Sequence, residues 1–276
     1  MILTMKSFLK SFPVPQQHGA WVMFLLPALM AMALSDRVDL STWLVILGFI
    51  LIFLAHRPAV RFLRRRKYRR QTDLTSLWWT ILLGGSGALL LAVLFILHQQ
   101  WIALTVGAIT GIALVLHLKL TLNKNHMSIP GEIIGVAGLT ASAPIMYLHL
   151  HGVMDARGWV LWLINFLYFT GSIFYIKLKL RTQPISSVPG TKGKIEAGKP
   201  VLIYCAFLFV FVLVAICTGG YSWFFLLAFI PFVIKSVTGV FRWTSKKQLK
   251  PKHIGFYEVG HALLFAVLTL FGFYYT

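Results

Sequence analysis

Residues 40–70 read LSTWLVILGFILIFLAHRPAVRFLRRRKYRR. Residues 40–55 carry no charge, and then Arg57, Arg61, Arg64, Arg65, Arg66, Lys67, Arg69 and Arg70 follow in quick succession. A long uncharged run crosses hydrocarbon without an electrostatic penalty, and a cluster of cations at its end stays on the cytoplasmic face. A buried strand would be shorter and bounded by turn residues. The stretch therefore reads as a transmembrane helix entering a cytoplasmic loop.

The same alternation extends in both directions. Uncharged or nearly uncharged segments recur at 19–35, 74–97, 101–118, 131–150, 158–176, 200–218, 221–240 and 254–276. The eighth reaches that length only if Lys235 snorkels toward an interface. The chain is 58% hydrophobic, with 12% charged residues and a mean hydropathy of +0.79. A soluble domain carries roughly 25% charged residues, so a water-facing surface is excluded. A formal charge of +19 would point to nucleic acid in a soluble protein. Here its distribution says otherwise. Of the 26 Lys and Arg, all but Arg37 and Arg157 fall in the N-terminal tail or in every second connection. The fold class is thus all-α and polytopic, with nine spans, the N-terminus cytoplasmic and the C-terminus outside. The whole chain forms one membrane domain in a cell membrane. Its basic loops suit anionic lipid, and no nucleic acid is expected.

Two smaller readings follow. Lys6 and Lys10 precede an apolar stretch ending in Ala31-Met32-Ala33, which resembles a cleavable leader. The apolar run is longer than a leader core and many spans follow, so an uncleaved first span is expected. Cys205 and Cys217 are twelve residues apart in one helix, about 18 Å, too far for a disulfide and suited to apolar packing.

Polar groups at membrane depth are costly, so each is a candidate. His18 and Trp21, three apart, open span one as a ligand-binding His or as an interfacial pair with a Trp anchor. At the end of span two, His56, Arg57 and Arg61 begin a cationic stripe, with a kink or break expected at Arg57 because Pro58 follows. Lys177 and Arg181, four apart, close span six. Arg forks at these places suit phosphate or carboxylate, or anchor on anionic lipid. Glu132 opens span five after Pro130 and Gly131, at the positive end of the helix dipole, with Lys119, Asn123 and Lys124 as nearby partners. Glu258 and His261 share one face of span nine as a clamp, a proton-linked pair or half of a metal site. His117 and Asn165 are possible interhelical hydrogen-bonders. The glycines at 84–87 and at 107–111 suggest close helix packing. No metal site is assigned.

The entry motif Gln16-Gln17-His18-Gly19-Ala20-Trp21, with a span and an Arg-rich second loop behind it, resembles the YwiC-like family of bacterial integral membrane proteins. A deeper resemblance is to the UbiA-type intramembrane prenyltransferases. It rests on the stretch from Lys119 to Tyr147, with Lys124, Pro130-Gly131-Glu132 and Ala141-Ser142-Ala143-Pro144. That resemblance implies nine helices around a central cavity open to the cytoplasm. Those enzymes hold magnesium on a prenyl diphosphate with Asp-rich motifs ending helices two and six. The matching positions here read His56-Arg57-Pro58-Ala59-Val60-Arg61 and Lys177-Leu178-Lys179-Leu180-Arg181. Magnesium needs hard oxygen ligands, so magnesium is not expected as a cofactor. Three functions fit: a cavity for an amphipathic anion such as a quinone precursor, isoprenoid phosphate or haem-like molecule; a small-molecule transporter; or a membrane assembly factor.

Overall fold

The computed structural model describes residues 18–68, 73–123, 128–182, 188–243 and 251–276, without the side chains of His18 and of residues 251–254. The described residues form helices and no strand. In chain order these are α1 (His18–Ala33), α2 (Leu40–Lys67), α3 (Leu74–Leu97), α4 (Trp101–Leu122), α5 (Ile129–His151), α6 (Ala156–Thr182), α7 (Thr191–Gly219), α8 (Phe224–Phe241) and α9 (Pro251–Tyr274). Among the described residues, α2 to α9 are long and apolar enough to cross a membrane, while apolar α1 is shorter.

The helix ends carry ordinary stop and start signals. Asp39 caps α2, accepting from the Thr42 N–H at 2.9 Å while the Thr42 hydroxyl closes the capping box. Ser128 caps α5, and Pro130 occupies its first turn. Gly152 and Gly220 end α5 and α7 with φ of 74° and 67°, the left-handed backbone that favours glycine. A π-turn at Ile81–Gly85 interrupts α3.

Several expectations are corrected. Pro58 does not break α2 at Arg57; the helix runs on to Lys67, so Arg57 to Lys67 are helical rather than loop. Pro27, Pro200 and Pro231 also lie inside helices. A proline removes one backbone donor, and in a membrane bundle packing on both flanks outweighs that single loss. Trp21, in the first turn of α1, is half-buried and its ring packs edge-on against Phe53 at 4.7 Å. Trp43, Trp101, Trp159 and Trp223 are exposed near helix ends, as their amphipathic rings prefer. Lys235 does not snorkel, since it is buried against Glu258. Asn165 donates to the Leu161 carbonyl within its own helix rather than across to another.

Interhelical hydrogen bonds show the two ends of the bundle. At one end Arg64 Nη2 donates to the Thr121 carbonyl at 3.4 Å, and Lys67 Nζ donates to Asn123 Oδ1 at 2.7 Å. Lys179 and Lys194 donate to carbonyls of Gly239 and Phe241 at the close of α8. At the other end Tyr274 donates to the Ala33 carbonyl, and Arg157 to that of Phe273. Consecutive helices therefore alternate in direction, with the arginines and lysines of α2 and α6 gathered at one end.

The two halves differ in density. Across α6 to α9, Tyr168 stacks on Phe265 at 4.0 Å and meets Phe232 edge-on, filling the interhelical space with rings. Across α1 to α5 the helices splay and leave a cavity. α4 forms its thinnest wall; only Ala103 and Thr121 of that helix are buried.

Candidate functional site

The cavity measures about 1710 Å³ and is lined, apart from Ile173, by residues between Gly19 and Ile145. Its deep wall is apolar: Met23, Phe24, Phe49, Phe53, Leu91 and Ile145. Toward the cationic end the lining changes to His56, Arg57, Arg61, Arg64, Arg65, Asp73, His117 and Glu132. One helix, α2, supplies most of this gradient. Its Phe49, Ile52 and Phe53 line the apolar part, and the turns from Arg57 onward bring a cation to the cavity every three or four residues.

The polar end is an ordered network. Asp73 caps α3, accepting from the Ser76 N–H at 3.1 Å and the Ser76 hydroxyl at 2.9 Å. Its second oxygen also holds Arg61 Nε at 3.3 Å and Arg65 Nη1 at 3.0 Å. Burial pushes the Asp73 carboxyl up, but the Ser76 hydrogen bonds and the two guanidinium groups outweigh it and hold the carboxyl below the usual carboxylate range. A group with a depressed folded pKa stabilises above its unfolded value and loses that contribution as pH falls through the folded one. The Asp73 tether therefore persists at neutral pH and opens only on acidification. Glu132 pairs with Lys177 of α6, a partner further along the chain than the expected Lys119 and Asn123. His117 Nδ1 lies 3.2 Å from the Gly131 carbonyl, an interhelical bond as expected.

The structure thus gathers His56, Arg57, Arg61 and Glu132 in one cavity and ties Lys177 to it through Glu132. Trp21 and Arg181 do not line it. Glu258 and His261 lie in the other half and do not pair. Glu258 holds Lys235, while His261 Nδ1 bonds the Tyr257 carbonyl at 3.0 Å. Lys124 and the His18 side chain lie outside the described residues. Asp73 and Trp79 are lining residues that sequence reasoning passed over. Asp73 had a signal, being one of only seven acids and set directly before an apolar run, where an N-cap belongs. Among the described residues no group of three His, Cys, Asp or Glu gathers as a metal cage. Both carboxylates of the cavity are engaged by cations, a donor set unsuited to magnesium.

The opposite end of the bundle has hydrogen bonds of its own. Ser41 Oγ lies 2.9 Å from His149 Nε2, His149 Nδ1 lies 3.0 Å from Gln100 Oε1, and Gln100 Nε2 donates to the His149 carbonyl. These join the starts of α2 and α4 to the end of α5.

No solved structure matches this one. The chain is 24% identical over 175 residues to the YwiC protein of Bacillus subtilis (strain 168), covering 62% of this chain and 68% of that one. The family model of YwiC-like proteins matches residues 14–147. That segment contains every residue lining the cavity except Ile173, so the family match and the cavity coincide. Residues 14–147 are thus similar to the YwiC-like proteins, and the match is carried by the part of the chain that builds the cavity.

Proposed function

We propose that this protein binds an amphipathic anion in the cavity of α1 to α5, on a UbiA-type scaffold whose cationic end faces the cytoplasm. The observation that carries this reading is the gradient within one cavity, from aromatic and aliphatic walls to a mouth with four arginines. An apolar tail gains by leaving water, at about 25 cal/mol per Å² of surface buried. A phosphate or carboxylate gains charge-assisted, often bidentate hydrogen bonds from Arg. Where UbiA-type enzymes bridge to their diphosphate through magnesium, the cations of α2 would meet the anion directly. The Ser41–Gln100–His149 bonds at the opposite end favour a binding site over a through-path.

Native mass spectrometry of the purified protein with geranylgeranyl phosphate, and with the neutral geranylgeraniol as comparator, tests this. The phosphate is retained and the alcohol held more weakly. Arg57→Gln with Arg61→Gln lowers phosphate retention by about tenfold or more, since hydrogen bonds to charged groups contribute roughly 1.5–3 kcal/mol each. Equal retention of phosphate and alcohol, unchanged in the variant, would sink the proposal. A second expectation concerns Asp73, which competes with any ligand for Arg61 and Arg65. Asp73→Asn tightens phosphate binding by up to about fivefold, the ceiling for a partly exposed ion pair. Weaker binding in that variant would assign Asp73 to the ligand site itself.

A further inference from the structure

Where the apolar wall of the cavity meets its cationic mouth, α2 presents His56. At a helical rise of 1.5 Å per residue, His56 stands about 4.5 Å along the axis from Phe53 and about 7.5 Å from Arg61. Both of those residues line the same space. The His56 ring is half-buried, and its Nε2 has no hydrogen-bond partner among the described residues. His117 of α4 stands beside it, with ring centroids 5.7 Å apart, and is itself bonded to the Gly131 carbonyl. In every protonation state an imidazole carries at least one N–H. The χ2 torsion of histidine is broad, so a turn of the ring brings that donor to a ligand atom at little cost. A ligand that is hydrocarbon right up to its anion leaves this donor facing methylenes. A ligand with a carbonyl oxygen between tail and anion meets it.

The apolar part is also wider than a single chain requires. Pockets for drug-sized ligands measure about 300–1,000 Å³, and this cavity measures about 1710 Å³. Phe24 of α1 and Phe53 of α2 stack in its wall at 5.1 Å. On α4 and α5 the lining includes Gly107, Gly111 and Gly138, and a Cβ at any of the three would meet nothing within 4 Å. These glycines do not bring helices together. They leave bare backbone along the cavity, and so keep room beside the aromatic wall for a second chain.

Resting on the reading of the cavity as an anion site, we propose that its ligand is a diacylglycerol phosphate, with an ester carbonyl accepting a hydrogen bond from His56. The phosphate monoester lies among Arg57, Arg61 and Arg64, the glycerol ester region at His56, and the two acyl chains against Phe24, Phe49 and Phe53. Each part of the ligand then meets the part of the wall that suits it. The arginines give charge-assisted hydrogen bonds, the histidine gives one N–H to an acceptor, and the aromatic wall takes the chains out of water. His56 thereby becomes the residue that tells a glycerol ester from a plain alkyl or isoprenoid phosphate.

The test compares ligands by native mass spectrometry of the purified full-length protein in detergent. The probes are dioleoylglycerol phosphate, its dioleyl ether analogue, which lacks only the two carbonyls, free glycerol 3-phosphate, and geranylgeranyl phosphate. The ester lipid is expected to be held roughly three- to tenfold more tightly than the ether, the range for one net hydrogen bond. His56→Phe keeps a ring of similar size and removes the N–H. It is expected to bring the ester down to the level of the ether and to leave the ether unchanged, which a misfolded variant would not do. Plain attraction of phosphate to the basic helix ends treats ester and ether alike. Geranylgeranyl phosphate is retained, but more weakly than the diacyl lipid. If ester and ether bind equally and His56→Phe changes neither, or lowers both alike, the role of His56 is overturned while the anion cavity stands. If geranylgeranyl phosphate is held more tightly than the ester lipid, the tail is a single chain and the diacyl ligand is overturned. If glycerol 3-phosphate displaces the lipid at equal concentration, the ligand is the free phosphate and the lipid is overturned. If none of the phosphates binds, this reading and the anion cavity fall together.

Discussion

Lys235→Met is expected to destabilise the protein by about 3–5 kcal/mol, while Lys235→Met combined with Glu258→Leu recovers most of that loss. Lys235 Nζ lies 2.9 and 2.8 Å from the two oxygens of Glu258, bridging α8 and α9. The lysine side chain is 1% exposed and the glutamate 10%. The ammonium also lies 4.9 Å from the Tyr175 ring centroid and 5.3 Å from that of Phe232, so its charge meets two π-faces as well as the carboxylate. Removing the lysine strands a carboxylate beside Tyr168 and Tyr175. Removing both partners leaves an apolar contact of similar volume, which commonly matches or exceeds a buried pair in stability. Denaturant unfolding in detergent micelles measures both variants. Equal stability of the single and double variants would mean that the charges are solvated and that the pair is incidental.

That pair also marks what could and could not be read along the chain. Hydropathy and the placement of Lys and Arg are one-dimensional properties, and they located the helices, since each span must be apolar by itself and each loop charge must avoid crossing the bilayer. Partner choice is three-dimensional. Glu258 and His261 share a helix face in the sequence, but the partner of Glu258 is Lys235 on α8, twenty-three residues earlier. The sequence offers neighbours as partners for Glu132, but its ion pair is with Lys177 at the far end of α6. The local rule about proline allows a kink or a break at Arg57, and packing around α2 rules out the break. The cavity residues His56, Arg57 and Arg61 were legible because they interrupt an apolar pattern at its end. Asp73 was hidden by the surrounding cations, whose charge dominated the reading of that loop.

The glycines show the same limit most sharply, and they carry the second large expectation. Gly87→Ala destabilises the protein by about 1–3 kcal/mol, whereas Gly107→Phe leaves stability nearly unchanged and abolishes ligand retention. In sequence both belong to short glycine clusters suited to close helix packing. In the structure a Cβ at Gly87 would stand 2.8 Å from the Gly48 carbonyl oxygen and 2.9 Å from Leu51 Cβ. The first of these is backbone and cannot swing aside, so α2 and α3 must separate. A Cβ at Gly107 meets nothing within 4 Å. Gly107 faces the cavity from α4, as does Gly111, and neither packs against another helix. A phenylalanine there gains about 0.5 kcal/mol in helix propensity over glycine and places its ring in the space a ligand tail would occupy. Thermal unfolding and geranylgeranyl phosphate retention, measured on both variants, separate the two roles. Loss of retention in Gly107→Phe with an unchanged unfolding midpoint ties ligand binding to the cavity itself, because the substitution touches no charged residue and no ion pair. Full retention in that variant would place the ligand elsewhere on the molecule, whatever the arginines at the mouth do.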